Sequence, residues 1–148
     1  MKRKRVGQSL FAIGNKLRRN INKEHQIHGI SGGQSRALNF IYRIGTHKDV
    51  FQKDIERFLS IRSSSATELV KSLVKEGFIT KETLKTDKRM KKLILTDKGI
   101  EVVKNTHQIL DSIEESLKNE VSKETFDQFI ETLSIFEKII DSKRITDD

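Results

Sequence analysis

Between Phe51 and Gly99, two short apolar-periodic segments stand only a few residues apart, which restricts the chain to folds where two helices pack at an angle. Phe51, Ile55, Phe58 and Leu59 share one helical face; Ala66, Leu69, Val70 and Leu73 repeat the same steps of three and four after the break. The second helix then carries Ser64, Ser65, Thr67, Glu68 and Lys71 on its solvent side, a slim polar surface that can enter a DNA major groove. Phe78 to Leu84 and Lys91 to Leu95 read as paired strands, joined by a polar tip from Lys85 to Met90 that is longer than a minimal hairpin turn. Helix, turn, helix and hairpin in this order predict a winged helix-turn-helix.

The flanks are helical. Leu10, Ile13, Leu17 and Ile21 recur at steps of three and four, with Lys16, Arg18, Arg19 and Lys23 between them. Gly29 to Gly33 breaks that helix, and Ser31 followed by Gln34 has the spacing of a capping box for a second helix through Ala37, Leu38, Ile41 and Ile44, with Gly45 as its stop. The third helix is expected from about Phe51 to Leu59 and the fourth from about Ser63 to Glu76, with Ser63 or Ser64 as its cap and Gly77 at its end. Thr96 can cap a fifth helix lined by Ile100, Val103, His107, Leu110, Ile113 and Leu117. Ser122 precedes a sixth, lined by Phe126, Phe129, Ile130, Leu133, Phe136 and Ile140. A face with that many phenylalanines needs a cover. Leu10, Ile13, Leu17, Phe126, Phe129, Leu133, Phe136 and Ile140 are therefore expected to meet their symmetry mates in a homodimer. The organisation expected is a single domain over 1–148, mainly α with a small β wing: a winged helix-turn-helix lobe at about 33–99 plus dimerisation helices at about 8–28 and 100–142.

Charge orients the molecule. Residues 1–23 hold eight basic and no acidic side chains, residues 48–99 thirteen basic and eight acidic, and residues 100–148 six basic and twelve acidic. A basic front and an acidic rear suit a polyanionic partner, and on charge alone RNA, DNA and anionic membrane all qualify. The chain has no cysteine, which removes disulfides, thiolate metal sites and thiol-oxidation switches. Four scattered histidines make no metal set, and no cofactor is expected. No apolar run approaches the roughly 18 residues of a membrane span, and the basic start runs into the polar Gly7, Gln8 and Ser9, so a cytoplasmic protein without a membrane partner is expected.

The run Thr86-Asp87-Lys88-Arg89-Met90-Lys91-Lys92-Leu93-Ile94-Leu95-Thr96-Asp97-Lys98-Gly99 resembles the D-x-R wing and L-T-x-x-G helix entry of the MarR family of bacterial transcriptional regulators. Gln52 to Ile55 and Leu69 to Ile79 are similar to the family pattern as well, so the resemblance covers nearly the whole chain. It implies a mostly helical dimer that binds pseudo-palindromic double-stranded operators, commonly as a repressor. Carried over, Arg89 is the wing residue for the minor groove and Asp87 holds it or the adjoining backbone. A guanidinium suits that place, being a planar fork drawn to the negative potential of a narrow A·T-rich groove. Glu68 stands where many relatives are basic; it can accept from cytosine N4 or restrain Lys71 or Arg62. Ser63, Ser64, Ser65 and Thr67 are groove-facing candidates, with helix capping as the alternative. Lys71, Lys75, Lys81, Lys85, Lys88, Lys91 and Lys92 form a candidate phosphate-contacting set, with plain solvation as the alternative. Lys2, Arg3, Lys4 and Arg5 either touch DNA flanks or stay disordered.

Many relatives respond to small organic acids, phenols or lipophilic compounds, which implies an effector pocket here. His25, His28, Phe40, Tyr42, Arg43 and His107 combine aromatic surface with polar ends and are its candidate lining. An enzyme is the chief alternative class, and the chain lacks a cysteine nucleophile, H-E-x-x-H and a phosphate-cradling loop. A nonspecific architectural or RNA-binding protein could use the same basic face, and sequence-selective DNA binding separates the two.

Overall fold

The computed structural model describes residues 5–143; Lys2, Arg3 and Lys4, the start of the basic segment considered above, lie outside the described residues. The chain divides into two compact units, Met1–His107 and Gln108–Asp148. The described elements are α1 (Val6–Ile27), α2 (Gly32–Gly45), α3 (Gln52–Leu59), α4 (Ser63–Lys75), β1 (Ile79–Thr83), β2 (Lys91–Leu95), α5 (Asp97–Glu120) and α6 (Lys123–Ser142). This is the mainly helical fold with a small antiparallel hairpin that the sequence predicts.

In the first unit, local chemistry sets the helix ends. Ser31 accepts from the Gln34 amide at 3.1 Å while the Gln34 side chain accepts from the Ser31 amide at 3.0 Å, closing the anticipated capping box on α2. Asp54 does the reverse half of that work on α3, accepting from the Phe51 amide at 2.9 Å. Gly77 ends the α4 segment with φ 78°, a conformation that costs other residues energy. Leu38, Ile55, Val70, Leu73, Ile79 and Val103 are fully buried together, each stabilising by about 2 kcal/mol against an exposed reference. Phe58 departs from the expected core stripe: it is 39% exposed and stacks on Phe40 with ring centroids 4.4 Å apart. The eight-residue α3 turns Ile55 inward and leaves Phe58 on its flank.

The sheet is a single pair, β1 against β2, with Ile79 opposite Leu95, Lys81 opposite Leu93 and Thr83 opposite Lys91. Its base is clamped to both neighbouring helices. Thr96 donates its hydroxyl to the Gly77 carbonyl at 2.6 Å and accepts from the Gly99 amide at 3.2 Å, capping α5. The Phe78 carbonyl accepts from the Thr96 amide at 3.0 Å and lies so close to Gly99 that a Cβ there would collide with it.

A second joint unites α1, α2 and the first part of α5. Fully buried His25 has Nε2 3.3 Å from the Thr106 hydroxyl, which donates to the Val102 carbonyl at 3.2 Å and accepts from Asn39 at 3.3 Å. The hydroxyl proton being used on Val102, Nε2 of His25 carries the hydrogen, and Nδ1 is left buried without a hydrogen-bond partner among the described residues. In the second unit, the end of α5 and α6 leave Leu110, Ile113, Leu117, Phe129, Ile130, Ile135, Ile139 and Ile140 exposed. No described residue of α6 is buried.

Two stability outcomes follow from these joints. Gly99→Ala forces the Phe78 carbonyl aside and is expected to lose about 1–3 kcal/mol in urea unfolding. Gly45→Ala, where nothing lies within 4 Å of the added methyl, stays within about 1 kcal/mol of the parent. The pKa of His25 is held below the ordinary histidine value of 6.5 first by burial and then by nearby His28, with Glu24 opposing. Its folded form therefore resists the proton that the unfolded chain accepts. Stability contributed by neutral His25 is complete above about pH 6.5 and declines as the pH falls below it, by at most ~1.4 kcal/mol per pH unit for one proton. Urea midpoints of a His25→Gln variant should decline less steeply between about pH 7 and 5 than those of the parent.

Candidate nucleic-acid interface

The core face of α4 is Ala66, Val70 and Leu73, which leaves Ser63, Ser64, Ser65, Glu68 and Lys71 exposed on the other side. The capping expectation needs correction: Arg62, with extended backbone, is the N-cap, and its side chain makes no capping bond. Ser63 and Ser64 are instead the first helical residues. Capping by them is thereby removed, and no hydrogen bond engages the hydroxyls of Ser63, Ser64 or Ser65 among the described residues. The amide hydrogens of this first turn also lack helical acceptors and bring partial positive charge to the surface. Thr67 is different, being half-buried: it donates to the Ser63 carbonyl at 2.9 Å and accepts from Gln52 of α3 at 2.9 Å. It fastens α4 to α3. Glu68 lies 3.6 Å from Lys71 in an exposed pair whose stabilising value is small, so the carboxylate mainly biases where that lysine points.

At the hairpin tip, one oxygen of Asp87 accepts from the Arg89 amide at 3.0 Å and from the Arg89 guanidinium Nε at 3.5 Å. The Asp87 carbonyl accepts from the Met90 amide at 3.1 Å, and Leu84 donates to the Met90 carbonyl at 3.0 Å. The turn is thus folded around Asp87. The Arg89 side chain remains 93% exposed. Lys85 and Lys88 are exposed beside it.

Strand alternation divides the lysines. Lys92 stands opposite Glu82, 3.6 Å from that carboxylate and 3.8 Å from Asp49, with only 27% of its side chain exposed. It belongs to an intramolecular ion cluster on one face of the hairpin, apart from the other lysines expected at phosphates. Lys91 and Lys81 occupy the opposite face, facing Phe51, Gln52 and Lys53 across a concavity of about 400 Å³. Among the described residues neither Lys91, Lys81 nor Lys53 forms an ion pair. Sequence reasoning had passed over Lys53; its position one residue inside α3, beside the wing, was not deducible without the approach of the Val50–Lys53 segment to β2.

Lys98 was also passed over. Its ammonium donates to the Glu76 carbonyl at 2.7 Å and sits 4.7 Å from the Phe78 ring centre, so it caps the C-terminal end of the α4 segment. The helix-entry motif places it one residue before Gly99, which was the available signal.

Among the described residues the six candidate effector residues have different surroundings. His25 is sealed in its joint with Thr106, and His28 is exposed just past α1. Phe40 and Arg43 gather with Arg36 around Phe58, the two guanidinium carbons lying 5.7 Å and 6.0 Å from its ring centre. Tyr42 makes an edge contact with His107 at 5.7 Å. Tyr42 alone of the six lines a cavity of about 320 Å³, whose walls include Ile41, Val50, Leu93 and Ile100 and whose polar groups include Thr46, Asp49 and Lys92. Of the expected dimerisation residues, Leu10, Leu17, Phe126, Leu133 and Phe136 are half-buried and Ile13, Phe129 and Ile140 are exposed.

The comparisons with known proteins agree with this architecture. The model of the MarR family matches residues 28–90. An HTH-type transcriptional regulator, BilQ of Clostridium symbiosum, is 31% identical over 107 residues, which is 70% of this chain and 72% of that protein. Among solved structures, MepR, a transcription regulator of the Staphylococcus aureus multidrug efflux pump MepA, superposes with a TM-score of 0.73 at 20% identity, covering 93% of this chain and 99% of MepR. The complex of MepR with DNA gives a TM-score of 0.71 at the same identity and coverage. A MarR transcriptional regulator from Methanosarcina mazei gives 0.71 at 22% identity, covering 92% of this chain and 96% of that one. These likenesses place the chain among regulators and not among enzymes, and no described helix is long and apolar enough to cross a membrane. With its helices, hairpin and exposed reading surface matched in this way, the chain belongs to the MarR family of DNA-binding, winged helix-turn-helix transcriptional regulators.

Proposed function

We propose that this regulator is a cytoplasmic homodimeric repressor that binds a pseudo-palindromic double-stranded operator and is released by a small aromatic or lipophilic compound. The observation that carries the DNA reading is the pairing, on one compact unit, of the exposed α4 face with a wing arginine oriented by Asp87. The first can meet base edges from Ser64, Ser65 and Glu68, while the second offers a guanidinium to the minor groove. MepR, of the same fold, has been solved with DNA, which supports the reading. The exposed apolar surface of α6 supports the dimer, since Phe129, Ile130 and Ile140 share one helical face with the half-buried Phe126, Leu133 and Phe136 and make more than the scattered apolar exposure of ordinary monomers. For the effector, the Tyr42-lined cavity has the size and mixed lining of a small-molecule site. Recovery of bound sequences from a random duplex pool tests the proposal. A two-fold consensus, with half-site centres about 34 Å apart or a multiple of that, is expected; a pool without consensus would favour a nonspecific architectural protein.

Arg89→Ala should weaken operator binding by roughly 1–3 kcal/mol, in the range for a specific nucleic-acid contact, and Asp87→Ala should act in the same direction. Lys104→Ala on α5 is the comparison, because Lys98 is occupied at the end of α4. Fluorescence anisotropy at fixed salt, with helical content checked by circular dichroism, gives the measurement; equal affinities for all the variants would remove the wing from the interface. Lys92→Ala should leave the salt dependence of binding close to that of the parent, since its charge is spent on Asp49 and Glu82.

Phe129→Asp places a carboxylate on the apolar surface of α6 and is expected to shift the protein from dimer to monomer in sedimentation at micromolar concentration. Operator affinity should fall with it. A parent protein that already sediments as a monomer would contradict the dimer.

A further inference from the structure

The two faces of the hairpin carry opposite electrostatic arrangements. On one, Lys92 is neutralised by Glu82 and Asp49. On the other, Lys81 and Lys91 share a concavity of about 400 Å³ with Lys53 from α3 and Arg89 from the tip, over a floor that includes Phe51 and Leu93. Of the nearby acids, Asp54 is engaged at the Phe51 amide and Glu82 across the sheet with Lys92, while Asp87 compensates Arg89 in part. The three lysines have no carboxylate partner among the described residues; gathered with Arg89 around one depression they repel one another, and that arrangement is relieved by an anion. A bare inorganic ion would have no use for the apolar floor. A deoxyribose-phosphate strand presents both an apolar sugar edge and regularly spaced charges, matching the floor and the rim together.

We propose that this concavity is a seat for the sugar-phosphate backbone of one DNA strand, with Lys53 and Lys81 as phosphate contacts alongside Lys91. The inference rests on the DNA-binding reading above and adds a site to it. The strand so held flanks the groove that Arg89 enters, because Arg89 forms the rim of the same depression. The seat reads no bases; it fixes how far the wing reaches along the duplex.

The test is a salt titration of parent, Lys53→Ala, Lys81→Ala and the double variant against operator and scrambled duplexes. Each single variant should weaken both duplexes by a similar factor and reduce the slope of log affinity against log salt by about one unit, and the double variant by about two. A second measurement uses the parent alone: acetylation of lysines with and without duplex, read by mass spectrometry, should show Lys53, Lys81 and Lys91 protected and Lys104 unchanged. Protection by millimolar thymidine monophosphate to the same extent as by duplex would show a free nucleotide site and overturn the strand seat. Unchanged slopes together with unprotected Lys53 and Lys81, while Arg89→Ala still weakens binding, would overturn the seat and leave the regulator reading standing. A parent that binds no duplex would remove both.

Discussion

The approach of the Phe78 carbonyl to Gly99 governs how the reading elements are held. At this point the end of α4, the start of β1 and the start of α5 come within hydrogen-bonding reach, because position 99 has no side chain to keep them apart. Thr96 exploits the gap by bonding the Gly77 carbonyl and capping α5 with one hydroxyl. Lys98 reaches from the first turn of α5 to the Glu76 carbonyl and lies over Phe78. The L-T-x-x-G pattern is therefore a joint whose residue types follow from backbone proximity: a hydroxyl that can both donate and accept, and a residue without Cβ.

Much of this was legible in the sequence because helices and strands advertise their buried faces. The spacing of Ala37, Leu38 and Ile41, of Ala66, Val70 and Leu73, and the Ser31–Gln34 box all report local geometry that tertiary packing did not alter. The Asp87–Arg89 contact was anticipated through the family resemblance, and it too is local, spanning a single turn. What escaped reading depended on neighbours distant in the chain. Lys91 and Lys92 look alike in sequence, and only the register with Glu82 and the proximity of Asp49 separate them. His25 and Tyr42 were grouped as possible effector contacts on composition; contacts distant in the chain separate them, His25 being held by Thr106 whereas Tyr42 lines the cavity at the wing root. The cap of α4, expected at Ser63 or Ser64, falls at Arg62 instead, because the extended backbone that ends the turn lies there and both serines are already helical.

The sorting of charge over the hairpin connects fold to function. A two-stranded sheet exposes both faces and cannot bury a core of its own, so its side chains are free to specialise. One face is held to the helical body by the Lys92–Asp49 ion pair, and the edge of β2 by the Leu93 amide, which donates to the Val50 carbonyl at 2.8 Å. The other face buries Ile79 and Leu93 in the core at its base and carries Lys81 and Lys91 without carboxylate partners among the described residues. Alternation along one five-residue strand thus separates paired from unpaired cations.

The unequal ends of α4 have a mechanical consequence. Its C-terminal end is gripped by the glycine turn and by Lys98, whereas its N-terminal turn begins at Arg62 without any side-chain cap. The first turn is held instead from the side, by the Thr67 hydroxyl that links the Ser63 carbonyl to Gln52 of α3. That tip carries Ser63, Ser64 and Ser65, whose short side chains have little reach of their own. Short side chains leave placement to the backbone, so the position of these hydroxyls is set both by the joint at Gly99 and by the Thr67–Gln52 contact.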